Sequence, residues 1–280
     1  MQKTYKKYFC FFVIPTLIAF VLFFIIPFIM GIVLSFCKFT TVTNASWVGI
    51  ENYVKAFSNE DFINALLFTV KFTIVAVITV NVSAFLLAYI LTRGIRGTNL
   101  FRTIFFMPNL IGGIVLGYIW QLIINGVLAK FNVTITVDAK YGFWGMVILM
   151  NWQMIGYMMV IYIAGIQNIS EDLLEAAQID GATKVQTLIK VIIPMLMSSI
   201  TICLFLTLTN AFKLFDQNLA LTAGGPGKKT MMLALDIYNT FYNRNGWEGV
   251  GQAKAVVFFI LVGTLALLQL YFTRKREVEN

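Results

Sequence analysis

Acidic side chains gather in one polar stretch, residues 171–194, which separates two long apolar runs. Glu171 and Glu175 stand four residues apart, and Asp180 follows them. On a helix, residues four apart lie on one face, and like charges at that spacing repel each other mildly. These exposed carboxylates would interact more favourably with a basic partner than with other groups of their own chain.

A second set of polar side chains lies inside the apolar runs, where a polar group costs free energy unless it faces a cavity or another helix. Its members are Asn151, Gln153, Tyr157, Thr207 and Asn210. Gln153 and Tyr157 are four residues apart, so a helix places them on one face. Amide, hydroxyl and aromatic groups suit a neutral sugar or polyol, because they offer donors, acceptors and a flat surface. The alternative, that these groups hydrogen-bond between helices, remains open.

Residues for acid–base or metal chemistry are scarce. The chain contains no histidine, and Cys10, Cys37 and Cys203 lack the spacing of a metal site. The carboxylates lie in polar loops, so no general acid–base pair is expected in a pocket. We therefore expect neither enzymatic activity nor a metal or cofactor on this chain.

Residues 224–230, GGPGKKT, have the composition of a phosphate-binding loop. That motif requires a glycine five residues before Gly227, and this chain has Thr222 there. No preceding strand or following helix is indicated either. The segment is predicted to be a turn at the surface and not a nucleotide site.

The acidic stretch carries the signals of a short helix, a turn and a second helix. Ser170 can cap the first helix by accepting a backbone N–H bond, and Glu171 and Asp172 then favour the positive end of the helix dipole. Gly181 most easily adopts the left-handed conformation that ends a helix. The second helix is expected to begin near Thr183 and to enter the next apolar run.

The composition is that of an integral membrane protein, because 59% of the 280 residues are hydrophobic and 12% are charged. About six apolar runs are long enough to cross a hydrocarbon core of about 30 Å. We place these segments near 9–36, 65–91, 103–124, 143–166, 191–212 and 254–273. The predicted fold is one all-α membrane domain over residues 1–280, with a polar loop at 167–190 and another at 213–253.

Lysine and arginine near the segment ends indicate which loops face the cytoplasm. With the N-terminus inside, the inner side carries Lys3, Lys6, Lys7, Arg93, Arg96, Arg102, Lys184, Lys190, Arg274, Lys275 and Arg276. The two shorter outer loops carry Lys38, Lys55, Lys130 and Lys140. The long outer loop adds Lys213, Lys228, Lys229, Arg244 and Lys254, but long loops cross the membrane largely regardless of charge. Both termini and the acidic stretch are therefore expected in the cytoplasm, and the net charge of +8 reflects topology and not nucleic-acid binding.

The series Glu175, Ala176, Ala177, Gly181 and Pro194 resembles the EAA loop in the permease subunits of binding-protein-dependent ABC importers. In that family the loop forms a coupling helix that fits into a groove of the ATPase subunit. The resemblance implies a coupling surface formed by Glu171, Glu175, Ala176, Ala177, Asp180 and Gly181. It also implies the type I ABC importer permease fold, with ATP and Mg²⁺ bound by the partner ATPase.

Two further stretches resemble the carbohydrate branch of that family, related to the maltose and glycerol-3-phosphate permeases. Residues 47–73 resemble its outer entry to the second segment, and residues 215–227 resemble its Phe-Asp and Leu-Thr-x-Gly-Gly-Pro pattern. The implied location is the bacterial inner membrane, in contact with lipid. The implied partners are a second permease subunit, two ATPase subunits, an extracytoplasmic solute-binding protein and a sugar or oligosaccharide.

Three alternative functions remain beside a sugar permease. A glycerol-3-phosphate or polyol permease belongs to the same family. An ion-coupled secondary transporter usually buries ionisable residues near the membrane midplane, and no Asp, Glu, Arg or His lies deep in a predicted segment. A structural membrane scaffold would account for the helices but not for the capped acidic stretch.

Overall fold

The computed structural model describes Phe9 and residues 13–275. The predictions that fall outside these residues concern the start of the first segment, both termini, Lys3, Lys6, Lys7, Cys10 and Arg276. The described chain is mostly helical, with one antiparallel pair of short strands, β1 (Cys37–Lys38) and β2 (Ser46–Trp47). The predicted all-α membrane fold is confirmed.

The helices follow one another with short connections. In chain order they are α1 (Val13–Leu34), α2 (Glu51–Phe57), α3 (Glu60–Leu91), α4 (Thr98–Phe106), α5 (Gly113–Leu128), α6 (Ala139–Gln167), α7 (Glu171–Ile179), α8 (Lys184–Met195), α9 (Met197–Phe212), α10 (Asp216–Leu221), α11 (Leu233–Tyr242) and α12 (Glu248–Arg274). Among the described residues, α1, α3, α6 and α12 are long and apolar enough to cross a membrane, as is Gly113–Phe131, which comprises α5 and the 3₁₀ turn after it. The bent pair α8 and α9 supplies a sixth candidate span.

The third predicted segment, 103–124, is not one helix. Helix α4 continues into a 3₁₀ turn at Met107–Leu110, and α5 begins only at Gly113. Pro108 lies in that turn, where it has no N–H to donate, and Gly112 has an extended backbone with φ −60° and ψ 139°. The prediction of an unbroken helix is wrong because these residues interrupt the hydrogen-bond ladder.

The fifth predicted segment, 191–212, also contains a break. Helices α8 and α9 meet at an angle of 69°, close to Pro194. A proline inside a helix removes one backbone hydrogen bond and its ring clashes with the preceding turn. The π-helical turn Leu188–Ile192 ends two residues before the proline and widens the helix there.

The backbone divides into two compact units, one formed by the residues up to Phe62 with Ile237–Phe259 and the other by Ile63–Asp236 with the residues from Ile260 onward. The prediction of a single domain over residues 1–280 stays a prediction. In the larger unit, α6 carries much of the buried apolar core. Gly156 of α6 packs so closely on α4 that a Cβ there would overlap the Phe105 carbonyl.

Lys254 lies within α12 and is fully buried, although the sequence analysis assigns it to the long outer loop. Its Nζ donates to Thr240 Oγ1 at 2.8 Å and lies 5.1 Å from the centre of the Phe62 ring. The loop assignment is wrong because α12 begins at Glu248, ahead of residue 254, where the sixth predicted segment starts. The hydroxyl and the aromatic face supply contacts that water would otherwise make with the ammonium group.

Candidate functional site

Helix α7 begins where the sequence predicts, but without the predicted side-chain cap. Ser170 occupies the N-cap position with φ −59° and ψ 135°, and its hydroxyl makes no capping hydrogen bond. The capping prediction for Ser170 is therefore wrong. Glu171 and Asp172 lie in the first turn, where their charges interact favourably with the helix dipole.

The other end of α7 is closed by a Schellman motif. Gly181 has φ +77°, in the left-handed region that favours glycine. The Gly181 N–H donates to the Gln178 carbonyl at 3.0 Å, and the Ala182 N–H donates to the Ala177 carbonyl at 3.0 Å. The predicted helix-ending role of Gly181 is confirmed, and the turn redirects the chain within a few residues.

The next helix, α8, begins with a capping box. Thr183 Oγ1 accepts from the Gln186 N–H at 3.3 Å, and Gln186 Oε1 accepts from the Thr183 N–H at 2.8 Å. The second helix therefore starts at the predicted position. Both sides of the turn are fixed by local hydrogen bonds, so the angle between α7 and α8 is set by sequence-local chemistry.

The surface of α7 combines negative charge with exposed apolar side chains. Glu171, Glu175 and Asp180 are exposed, as predicted. Leu173 is 44% exposed and Ile179 is 86% exposed. The exposed surface of α7 therefore carries both carboxylates and apolar side chains.

The inner side of α7 attaches the helix to the larger unit. Leu174 packs against a small apolar cluster formed by Ile169, Ile192 and Leu196. Of the predicted coupling residues, Ala177 is half-buried and Ala176 is exposed. Small alanine side chains therefore leave the carboxylates and the exposed apolar groups as the main features of the outer surface.

A cleft of about 710 Å³ opens beside α7. It is lined by Tyr89, Arg93, Leu174, Gln178, Lys184 and neighbouring residues of α3, α6 and α8. The Arg93 guanidinium lies over the Tyr89 ring, 4.2 Å from its centre, and donates to the Tyr89 hydroxyl. The sequence analysis assigns Arg93 and Lys184 to membrane topology only, and their convergence on one cleft comes from the tertiary structure.

The polar side chains predicted for the substrate pathway do not share one surface. Asn151 of α6 donates through Nδ2 to Thr79 Oγ1 of α3 at 2.8 Å. Gln153 accepts from Gln217 Nε2 of α10 at 2.8 Å. These two residues therefore contact different neighbouring helices, and in this conformation each makes an interhelical hydrogen bond.

Thr207 of α9 is fully buried in a polar network with α3 and α6. Its Oγ1 accepts from Asn81 Nδ2 at 3.2 Å and donates to the Cys203 carbonyl at 2.7 Å. The Tyr162 hydroxyl donates to Asn81 Oδ1 at 2.9 Å. For Thr207, this geometry favours the interhelical alternative that the sequence analysis left open.

Tyr157 and Asn210 retain polar atoms that other molecules could contact. The half-buried Tyr157 makes an edge contact with Phe106, at 6.3 Å between ring centres. Asn210 is exposed and donates through Nδ2 to the Leu206 carbonyl of its own helix at 2.8 Å. The assignment of all five polar side chains to a substrate pathway stays a prediction.

Sequence reasoning missed Asn81 and Gln217, which complete two of the interhelical contacts. Asn81 lies in the middle of the apolar segment 65–91, so the criterion that selected Thr207 also applies to it. Gln217 lies in the predicted outer loop and carried no such signal. Only the fold brings Gln217 to Gln153, which is 64 positions away in the chain.

No group of three or more His, Cys, Asp or Glu side chains among the described residues could hold a metal ion.

Residues 224–230, which have the composition of a phosphate-binding loop, lie in a turn between α10 and α11 that Asn218 organises. The Asn218 Nδ2 donates to the Thr230 carbonyl at 2.8 Å, and its Oδ1 accepts from the Met232 N–H at 3.0 Å. Through these two hydrogen bonds, the Asn218 amide holds the glycine-rich segment in place.

Comparison with known proteins gives a family match over most of the chain. The model of the family described as "Binding-protein-dependent transport system inner membrane component" matches residues 96–278. This range contains the acidic helix, both broken spans and the glycine-rich turn.

Similar curated proteins extend the match to nearly the whole chain. The probable starch degradation products transport system permease protein AmyD of Thermoanaerobacterium thermosulfurigenes is 41% identical over 276 residues, covering 96% of this chain and 94% of that protein. The multiple sugar-binding transport system permease protein MsmF of Streptococcus mutans is 32% identical, covering 99% of both chains. The sn-glycerol-3-phosphate transport system permease protein UgpA of Agrobacterium fabrum is 29% identical, covering 83% of both.

The fold also matches that of solved transporters. A bacterial ABC transporter involved in the import of the acidic polysaccharide alginate has a chain with a TM-score of 0.83 and 19% identity, and the match covers 98% of both chains. An amino acid ABC transporter has a TM-score of 0.55 and 22% identity, with 82% of this chain covered. These likenesses concern the arrangement of the helices.

Proposed function

The chain belongs to the family of binding-protein-dependent transport system inner membrane components, and from this membership we propose that it forms half of the translocation pathway of an ATP-driven importer for a sugar or oligosaccharide. The substrate class is supported by the names of AmyD and MsmF, which refer to starch degradation products and to multiple sugars. The side chains of Tyr157 and Asn210 agree with a neutral cargo, because they offer a hydroxyl and an amide group without a charge.

A glycerol-3-phosphate or polyol importer is the second candidate. UgpA, at 29% identity, supports it. A phosphate cargo is usually bound by charged or strongly donating groups, and the predicted pathway residues supply neutral amides and hydroxyls instead. The difference favours a sugar, and measuring which solute the associated binding protein holds separates the two candidates.

We assign ATPase docking to α7. A single observation carries this assignment: α7 exposes Glu175, Leu173 and Ile179 outside the candidate spans, while Leu174 and the Gly181 turn hold the helix in place. The proposed assembly contains a second permease subunit, two ATPase subunits that bind ATP and Mg²⁺, and an extracytoplasmic solute-binding protein. In this arrangement the chain lies in the bacterial inner membrane, and both of its termini face the cytoplasm.

The Glu175→Lys substitution tests this assignment. It reverses one charge on an exposed surface, so the protein should still insert in the membrane, while ATPase association and solute uptake decrease. Glu60→Lys is a matched control, because Glu60 is also exposed but lies at the start of α3. Copurification of the ATPase and uptake by intact cells are the measurements. Wild-type values of both for Glu175→Lys would contradict the assignment.

A further inference from the structure

Helix α2 is fixed against the end of the membrane-spanning helix α1. Asn52 is 4% exposed, and its Nδ2 donates to the backbone oxygens of Ser35 and Cys37 at 2.9 Å each. The Tyr53 hydroxyl lies 2.6 Å from Ser35 Oγ. Because α1 ends at Leu34, these bonds hold the inner face of α2 beside the point where a candidate span ends.

The opposite face of α2 is apolar and open. Ile50, immediately before the helix, is 68% exposed, Val54 is 56% exposed and Phe57 is 52% exposed. At 3.6 residues per turn these three positions fall within an arc of roughly 60°. Trp47 of β2 is 69% exposed, and its ring stacks on Phe36 at 5.4 Å between centres. We call Trp47, Ile50, Val54 and Phe57 the apolar stripe.

An ion pair borders the apolar stripe on one side. Lys55 Nζ lies 2.6 Å from Glu51 Oε1, and about half of each side chain is exposed. The hydrogen bond from Lys55, followed by its charge, lowers the pKa of Glu51 below its ordinary value. The Glu51 carboxylate is therefore charged at neutral pH and favours the aqueous side of the helix.

We propose that α2 lies in the membrane interface, with the apolar stripe inserted among lipid headgroups and upper acyl chains. An amphipathic helix in this position buries its apolar face about 5–10 Å into the headgroup and acyl boundary. The tether to Ser35 fixes α2 at that depth. Tryptophan is enriched at this level because its ring is apolar and its N–H is polar, which suits Trp47.

The lipid assignment is favoured by continuity with the surface of α1. Phe23, Ile29 and Val33 of α1 are 82%, 53% and 50% exposed, as expected for side chains that face acyl chains. The apolar stripe begins at Trp47, and the hydrogen bonds of Asn52 and Tyr53 hold α2 beside the end of the same helix. A soluble partner would have to cover a surface that the Asn52 and Tyr53 hydrogen bonds hold beside the end of a candidate span. The inference requires α1 to span the membrane and does not depend on the transported solute.

The test places a spin label on each side of α2. Val54→Cys puts the label on the apolar stripe, and Lys55→Cys is the matched control on the charged edge. The full chain, with the subunits that copurify with it, is reconstituted in vesicles of phosphatidylethanolamine and phosphatidylglycerol. Collisions of each label with oxygen, which concentrates in lipid, and with a water-soluble nickel chelate are then measured. The unsubstituted protein treated with the same reagent gives the background from its own cysteines.

We expect the ratio of oxygen to nickel-chelate accessibility to be several-fold higher for the Val54→Cys label than for the Lys55→Cys label. Ile50→Cys should repeat the Val54→Cys result, and it provides a second position if Val54→Cys lowers the yield. A label on the stripe that collides mainly with the nickel chelate would overturn the proposal, because the stripe would then face water. Shielding of that label from both reagents would also overturn it, since a protein partner would then cover the stripe. Solute uptake does not enter this measurement, so a failed sugar assignment and a failed lipid assignment are distinguishable.

Discussion

At the scale of single residues, the same criterion selects Thr207 and Tyr157, but the structure gives their hydroxyl groups different surroundings. The hydroxyl of Thr207 is buried between Asn81 and the Cys203 carbonyl. Tyr157 is half-buried, and its ring contacts Phe106. A role in helix packing is therefore expected for Thr207, and contact with the solute is expected for Tyr157.

Thr207→Val should lower the stability of the purified complex without a direct effect on solute affinity. The substitution keeps the side-chain volume and removes the acceptor of the Asn81 Nδ2 bond. Polar contacts between membrane helices contribute about 0.6 kcal/mol on average and up to about 1.7 kcal/mol. Thermal unfolding in detergent measures the change. An unchanged melting temperature with a raised KM for uptake would show that the hydroxyl serves the solute instead.

Tyr157→Phe should have the opposite effect. It keeps the ring beside Phe106 and removes only the hydroxyl, so complex stability should be unchanged. Loss of one hydrogen bond to a sugar hydroxyl changes the free energy of binding by about 0.5–1.5 kcal/mol, a roughly two- to twelvefold loss of apparent affinity. Concentration-dependent uptake provides the measurement. Wild-type uptake kinetics would remove Tyr157 from the pathway.

At the scale of the elements, α7 is defined by its two ends more than by its length. Nine residues are too few for a stable helix in isolation, so the helix depends on packing and on its termini. Gly181 supplies the left-handed residue of the Schellman motif, and a Cβ added there would meet no atom within 4 Å. Substitutions at Gly181 therefore probe backbone conformation separately from steric clash.

Gly181→Ala should weaken ATPase association and solute uptake, whereas Gly181→Asn should retain most of both. The left-handed conformation costs alanine roughly 1–2 kcal/mol, and asparagine tolerates it better. If the strain is relieved by a change in the α7–α8 angle, association falls by up to about thirtyfold. Equal association for glycine, alanine and asparagine would show that the turn geometry is not needed for docking.

At the scale of the whole molecule, the topology determines which partner each surface can meet. Lys184 at the start of α8 and Gly227 in the turn after α10 are both exposed, so both positions are open to reagents. The distribution of lysine and arginine predicts that they lie on opposite sides of the membrane. Docking of α7 to an ATPase requires the cytoplasmic side, and delivery of a solute requires the other.

Single-cysteine labelling tests this topology. A cysteine at Lys184 should react with a membrane-impermeant maleimide only in inverted vesicles, and one at Gly227 only in intact spheroplasts. The control is a membrane-permeant maleimide, which should label both variants in both preparations. The reversed pattern would contradict the orientation, and labelling of both positions from one side would contradict the predicted number of spans between them.

The sequence determined the features that depend on local chemistry. Apolar runs of sufficient length predicted the spans, because a helix in lipid must be apolar over about 20 residues. The acidic stretch predicted α7, the turn and α8, because Gly181 and Thr183 fix the backbone through neighbours within a few positions. The same stretch carried the family resemblance, so much of the fold and the candidate coupling surface could be predicted from residues 171–194.

Only the tertiary structure decided which polar groups meet. Asn81 and Thr207 are 126 positions apart, and Asn81 and Tyr162 are 81 positions apart, so no local pattern could pair them. The breaks beside Pro108 and Pro194, and the burial of Lys254, were likewise missed by a count of apolar residues. Average hydropathy sets whether a segment enters the membrane, but helix bends and hydrogen-bond partners are set by contacts between distant segments.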